Sequence, residues 1–266
     1  MHKNLIVSGH RGYIGYHFCK LLKKKKIKFT KFDFKKKTKN LEDFTHFFHF
    51  SFDVKIKKNS FKKNKKRLLK VLKICAENNI KLIFPSTCTY KYNKNNKRVS
   101  KSIIPINKYS KSKIQCEQII LRFSKKYGLN FFIFRVFNVY GVNIKNKGVV
   151  ADIINKLRRG KNLKLKYSEN KRDFVNLEDL SNLFIKSIFV ERSGIFEAGS
   201  GRSISIKELA TCIKKIFQFN SNLLFIKPFK SKKNYFSKSN IDKTKSLFSW
   251  KPTTSIMSGL KKINFK

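Results

Sequence analysis

The chain has 266 residues, 41% of them apolar, enough for a sizeable packed core. It carries 63 Lys and Arg against 15 Asp and Glu, a formal charge of +48. Its five cysteines are odd in number and form no C-x-x-C pair, which argues against a disulfide framework or a cysteine-built metal site. No apolar run approaches the roughly 18 residues that span a bilayer, so no membrane insertion is expected. The N-terminal strand pattern breaks at Gly9-His10-Arg11-Gly12 and does not read as a signal peptide, which together with reduced thiols points to a cytoplasmic protein. The lysines are spread along the whole chain beside many Asn, Ile and Phe. The charge therefore reads as a surface property that draws anionic ligands, without a dedicated nucleic-acid site.

In chain order, residues 4–8 read as a short buried strand and 13–22 as a helix with Ile14, Phe18, Leu21 and Leu22 at helical spacing. Residues 27–34 alternate as a second strand carrying Asp33 at its end, and 44–52 form an aromatic strand. Residues 64–79 read as a helix, 81–85 as a strand leading into Ser86-Thr87-Cys88-Thr89, and 91–108 as a polar loop. Residues 109–126 read as a helix and 129–137 as a strand. Later helical stretches are 149–159, 177–189, 206–217 and 254–262. Strands alternating with helices imply an α/β fold, a doubly wound parallel sheet of Rossmann type, with a smaller C-terminal substrate-binding domain. The expected division is 1–145 and 146–266, with residues near 171–190 able to pack back on the first part.

Two constellations carry chemistry. Gly9-His10-Arg11-Gly12-Tyr13-Ile14-Gly15 lies between the first strand and helix. Gly9 allows a tight turn, Gly12 a close backbone approach to pyrophosphate, and Gly15 close helix–strand packing, while the helix N-terminus offers free N–H groups. Asp33, eighteen residues beyond Gly15, ends the second strand where a carboxylate can accept from ribose hydroxyls. NAD is the expected cofactor; Lys35, Lys36 and Lys37 leave NADP open. The second constellation is Tyr109-Ser110-Lys111-Ser112-Lys113, which puts Tyr109 and Lys113 on one helix face. An ammonium beside a phenol stabilises the phenolate, so the pair can exchange a proton with a sugar hydroxyl. Glu117 continues that face, as a helix-surface partner of Lys113 or Arg122.

These parts resemble the NAD-dependent epimerase/dehydratase branch of the extended short-chain dehydrogenases. The resemblance runs nearly end to end: Val7 to Gly15, His49-Phe50-Ser51, Asn64, Tyr109 to Lys113, Arg135-Val136-Phe137-Asn138-Val139-Tyr140-Gly141, Lys171-Arg172-Asp173-Phe174-Val175, Asp179, Ala198-Gly199-Ser200-Gly201, Trp250-Lys251-Pro252 and Gly259-Leu260. It implies Ser86 as the serine of a catalytic triad with Tyr109 as acid/base and Lys113 as its partner. Tyr90 favours Ser86 over Thr87. Gly9, Gly12, Tyr13, Ile14, Gly15, Asp33, Tyr109 and Lys113 would hold the cofactor. Asn138 would contact a nucleoside-diphosphate sugar, and Arg172 would grip its diphosphate. No metal is implied.

The sequence also departs from the family's pattern. Only about ten residues follow Asp33 before the next strand, so the usual third strand and its adenine-contacting acid look deleted. Ser51 and the bulky Phe52 replace small residues beside the dinucleotide path. Lys230 or Lys232 stands for the usual C-terminal arginine. Cys88-Thr89 take the place of the Asp-Glu pair of 4,6-dehydratases, which disfavours water elimination. The reading is an NAD(P)-dependent epimerase or reductase, possible as a homodimer. The alternative is a basic Rossmann-like binding protein, for nucleic acid or nucleotide, with reduced or lost turnover.

Overall fold

A computed structural model of the chain describes residues 3–36, 41–54, 59–89, 105–144, 148–226 and 236–263. Tyr90, Lys37, Lys230 and Lys232 lie outside the described residues. The first half alternates strand and helix: β1 (Asn4–Ser8), α1 (Tyr13–Lys24), β2 (Phe29–Phe32), β3 (Phe44–His49), α2 (Ser60–Glu77), β4 (Lys81–Thr87), α3 (Lys108–Tyr127) and β5 (Phe131–Val136). There follow β6 (Asn138–Tyr140), α4 (Val149–Arg158), β7 (Leu163–Lys166), β8 (Lys171–Asn176), α5 (Leu177–Lys186), β9 (Gly194–Ala198), β10 (Ser203–Ser205), α6 (Ile206–Phe217), β11 (Leu223–Ile226), α7 (Asp242–Phe248) and α8 (Ile256–Lys261).

Six strands form one parallel sheet in the order β2-β1-β3-β4-β5-β9. Among the described residues β2 is its edge, in keeping with the loss of a third strand beyond it. Both faces are covered, which is why β4 and β5 are buried throughout and read as unbroken apolar runs. On one face, α1 and α5 bring Phe18 and Phe184 against Phe48 and Phe134; the rings of Phe18 and Phe48 lie 4.5 Å apart. On the other, α2 and α3 bring Leu68, Leu72 and Ile120 against Phe47, Leu82 and Ile133. A second core joins α4, α6 and α8 to small sheets of order β10-β8-β6 and β11-β7. Residues beyond 145 therefore serve both cores. Among the described residues no helix is long and apolar enough to cross a membrane.

Several expected boundaries move. β2 is shorter than 27–34 and stops at Phe32, so Asp33 lies just beyond it. β3 ends at His49, and Phe50 to Asp53 leave the sheet. α2 starts at Ser60, a turn before Asn64. Asn64 is instead a buried clasp: its Oδ1 accepts from the Asp53 N–H at 2.9 Å and its Nδ2 donates to the Asp53 carbonyl at 3.3 Å. Four lysines between Ser60 and Leu68 hide this first turn from an apolar-pattern reading, because they need only its solvent side.

Candidate active site

The strand order reverses between β1 and β3, and in open α/β sheets such a switch point opens a crevice at the strands' carboxyl ends. Gly9 after β1 and Phe50-Ser51 after β3 flank it. Gly9 has φ of +71°, and a Cβ there would lie 2.4 Å from the backbone of Phe50 and Ser51. A Cβ at Gly15 would lie 2.3 Å from the Gly9 carbonyl oxygen, so the first turn of α1 packs directly on the loop. At Gly12 a Cβ would meet only the Gly9 oxygen, at 3.2 Å. Gly12 caps α1 without a side-chain hydrogen bond, and no acid sits in the first turn. That end of the helix therefore faces outward with its own N–H donors, and the backbone fits a dinucleotide's pyrophosphate.

The side chains around this loop divide by role. Ile14 packs on the sheet core, and the half-buried Tyr13 packs edge-on against His17 at 5.5 Å. The Tyr13 hydroxyl is buried, which pushes its pKa up, so this residue faces the second core and only its main chain belongs to the loop. Asp33 follows β2, the strand beside β1. Its Oδ1 accepts from the Lys35 N–H at 3.0 Å, and that bond, with the cations Arg11, Lys35 and Lys36, holds the carboxyl below its usual range.

Three segments build the second centre. β4 carries Ser86 and Thr87 at its carboxyl end. The Thr87 and Thr89 hydroxyls bond each other at 2.7 Å, whereas the buried Ser86 Oγ has no hydrogen-bond partner among the described residues. α3 opens with a capping box: the Asn107 side chain accepts from the Ser110 N–H at 2.8 Å, and Ser110 Oγ accepts from the Asn107 N–H at 3.1 Å. This fixes Tyr109 in the first turn and Lys113 one turn on. Lys113 is buried and donates from Nζ to the Pro85 carbonyl at 2.6 Å, next to Ser86. Burial brings its pKa down to about 8, against the opposing pull of Cys116 and Glu117.

Two features were not legible in advance. Glu117 pairs with Arg135 of β5, not with Lys113 or Arg122. Both are buried, and Arg135 Nη2 donates to Glu117 Oε2 at 2.6 Å while Nε reaches both carboxylate oxygens at 3.2 Å. Arg135 stands beside Ser86 in the sheet register, so the pair ties α3 to the strands under the site. The sequence signal was available: a glutamate on the apolar face of α3 needs a buried partner. The second feature is Phe52, whose ring lies edge-on to Tyr109 at 5.9 Å and under the Lys113 ammonium at 3.8 Å. The expected lowering of the Tyr109 pKa is not present in this arrangement. Burial first, and then Cys88, push the phenol up, while the charge of Lys113 is committed to Pro85.

Asn138 and Arg172 belong to the strands β6 and β8. Asn138 Nδ2 donates to the Asp173 carbonyl at 2.8 Å, joining those strands, and Arg172 is half-buried beside it in β8. The buried Asp173 carboxylate gathers the N–H groups of Ser200, Gly201 and Ser239 and the hydroxyls of Ser200 and Ser239, at 2.6–3.0 Å. It anchors the Ser200-Gly201 turn.

Residues 52–196 match the family model of the NAD dependent epimerase/dehydratase family. The chain belongs to that family. An ADP-L-glycero-D-manno-heptose-6-epimerase of Brachyspira hyodysenteriae is 27% identical over 220 residues, 77% of this chain and 69% of that protein. The fold of this epimerase/dehydratase family member matches a UDP-glucose 4-epimerase of Thermotoga maritima, solved with UDP-glucose, with a TM-score of 0.81 at 24% identity over 97% of this chain and 96% of that one. It also matches a UDP-N-acetylglucosamine 4-epimerase of Methanobrevibacter ruminantium, solved with UDP-N-acetylmuramic acid, with a TM-score of 0.82 at 22% identity over 97% of each chain.

Proposed function

We propose that this family member is an NAD(P)-dependent epimerase or reductase of a nucleoside-diphosphate sugar, working by hydride transfer at a sugar carbon. The observation that carries the reading is an unpartnered, buried Ser86 hydroxyl next to the Pro85 carbonyl that holds Lys113, with Tyr109 one turn before Lys113 on α3. The backbone at Gly9, Gly12, Tyr13, Ile14 and Gly15 would hold the cofactor's pyrophosphate, Asp33 its ribose, and Lys113 the ribose nearer the reacting carbon. When bound, the nicotinamide supplies and accepts the hydride.

The chain's own groups do the rest. Ser86 Oγ fixes the reacting hydroxyl. Tyr109, whose phenol is kept protonated by burial, gives its proton to the sugar oxygen in the reductive direction and takes it back in the oxidative one. The cation of Lys113, one helical turn away at the Pro85 carbonyl, would favour that second step only once it turns toward the forming phenolate. Asn138 and Arg172 stand on the strands flanking this centre, where amide and guanidinium groups suit the polar and diphosphate parts of the substrate. The test is incubation of the purified protein with NAD and a panel of UDP-, GDP- and ADP-sugars, with products followed by NMR. Epimer formation abolished by Tyr109→Phe supports the reading. No turnover of any nucleotide sugar, with a protein that binds neither NAD nor NADP, overturns it.

A further inference from the structure

The Lys113 ammonium is buried, yet among the described residues no carboxylate pairs with it. Besides the Pro85 carbonyl at 2.6 Å, it faces two aromatic rings, with the centroid of Phe52 at 3.8 Å and that of Phe84 at 4.4 Å. Its titratable and charged surroundings offset one another. From α3 come Tyr109, Cys116 and Glu117, and the charge of Glu117 is taken up by Arg135 of β5. From β3 comes His49, which burial keeps neutral, and after β4 comes Cys88, whose thiol burial pushes up. From α2 comes Arg67, paired with Asp53 at 3.1 Å. Beyond the Pro85 carbonyl, the two ring faces line the ammonium, and a desolvated cation over an aromatic face is held electrostatically. Phe84 is itself stacked on His49 at 6.1 Å, so it is fixed in the sheet. Phe52 is not: it lies in the segment after β3 and reaches Lys113 and Tyr109 from there.

We propose that Phe52 is a positioning residue for Lys113: with Phe84 it clamps the ammonium against the Pro85 carbonyl and keeps it charged where water does not reach. The inference rests on the reading of Lys113 as the partner of Tyr109. It also accounts for a bulky aromatic at this place in the chain, where it serves as a counter-surface for a buried cation.

The experiment is an NMR pH titration of protein labelled with 13C-lysine, without cofactor or substrate. The Lys113 signal is assigned by its absence in Lys113→Met. It is recognised by a midpoint near 8, well below the roughly 10.4 of surface lysines. Replacing the ring by Phe52→Leu keeps an apolar side chain and removes the π face; the midpoint should fall by about one pH unit. Phe52→Tyr, which keeps the face, should leave it near the wild-type value. If Phe52→Leu does not fold, pentafluorophenylalanine at position 52 keeps the shape and reverses the ring's electrostatics, and should lower the midpoint further. An unchanged or raised midpoint in the folded Leu or fluorinated protein refutes the clamp, whether or not the enzyme turns over. A midpoint that falls as expected in a protein inactive on every nucleotide sugar leaves the clamp standing and removes the functional reading instead.

Discussion

The two halves of the site are built from different materials. The loop from Gly9 to Gly15 is made of backbone. Its shape depends on where Cβ atoms are missing, and its donors are main-chain N–H groups of one short segment. The centre around Ser86, Tyr109 and Lys113 is made of side chains from β4, α3 and the Phe52 segment, held by a buried ion pair from β5. A backbone cradle tolerates change in its neighbours but not in its glycines. A side-chain centre tolerates little change in what surrounds it, because each member is held by another.

The contrast can be broken most forcefully at Arg135. Arg135→Met leaves the Glu117 carboxylate buried without its guanidinium, and unfolding in urea should show a loss of about 3–5 kcal/mol. The double change with Glu117→Leu should recover much of it. A small loss in the single variant would mean that the pair does not hold α3 to the sheet. Next comes Tyr109→Phe, which keeps the ring against Phe52 and removes the hydroxyl proposed to carry the proton. On an active substrate kcat should fall at least about 100-fold while binding persists. Wild-type turnover would remove Tyr109 from the mechanism.

A third measurement addresses the link between the two halves. His49 lies with its Nδ1 2.7 Å from the Ser8 hydroxyl at the end of β1 and stacks on Phe84. Burial lowers its pKa to about 3, and that of His46 to about 4. A histidine held neutral in the fold gives its full stabilisation above the unfolded pKa of about 6.5 and loses it as pH falls toward the folded value. Stability should therefore drop by about 2 kcal/mol for each of these histidines between pH 7 and pH 5. The carboxyls of Asp33, Glu191 and Glu208 are held below their usual range, so their own titration lies under this window. Urea titrations at the two pH values should show about 2 kcal/mol of the decline removed in His49→Gln. An equal decline in that variant would place the proton uptake elsewhere.

The smallest expected effect is at the cradle. Gly12 has an extended backbone that any residue adopts, and a Cβ there would meet only the Gly9 oxygen, at 3.2 Å, so Gly12→Val should fold with a shift of a few tenths of an ångström in that loop. Calorimetric titration should show NAD(H) binding weakened by tenfold or more, about 1.4 kcal/mol. Unchanged affinity would move the pyrophosphate away from this loop.

What was legible in advance follows the same division. The glycine spacing, the helix face shared by Tyr109 and Lys113, the alternation of strands and helices, and the later helices at 149, 177 and 206 all depend on short-range geometry. Periodicity and chain stiffness report that geometry directly. The difference between Ser86 and Thr87 appears only in space, where the Thr87 hydroxyl bonds Thr89 and the Ser86 hydroxyl has no partner among the described residues. The Glu117–Arg135 pair, the clasp of Asn64 on Asp53 and the gathering of donors on Asp173 join residues 11 to 66 positions apart. No local pattern encodes such partners, because a buried charge specifies only that it must be satisfied and not by which residue. The same holds for Phe52. Its sequence position marked it as bulky beside the cofactor path, but only the packing of the segment after β3 against α3 set its ring face on the Lys113 ammonium.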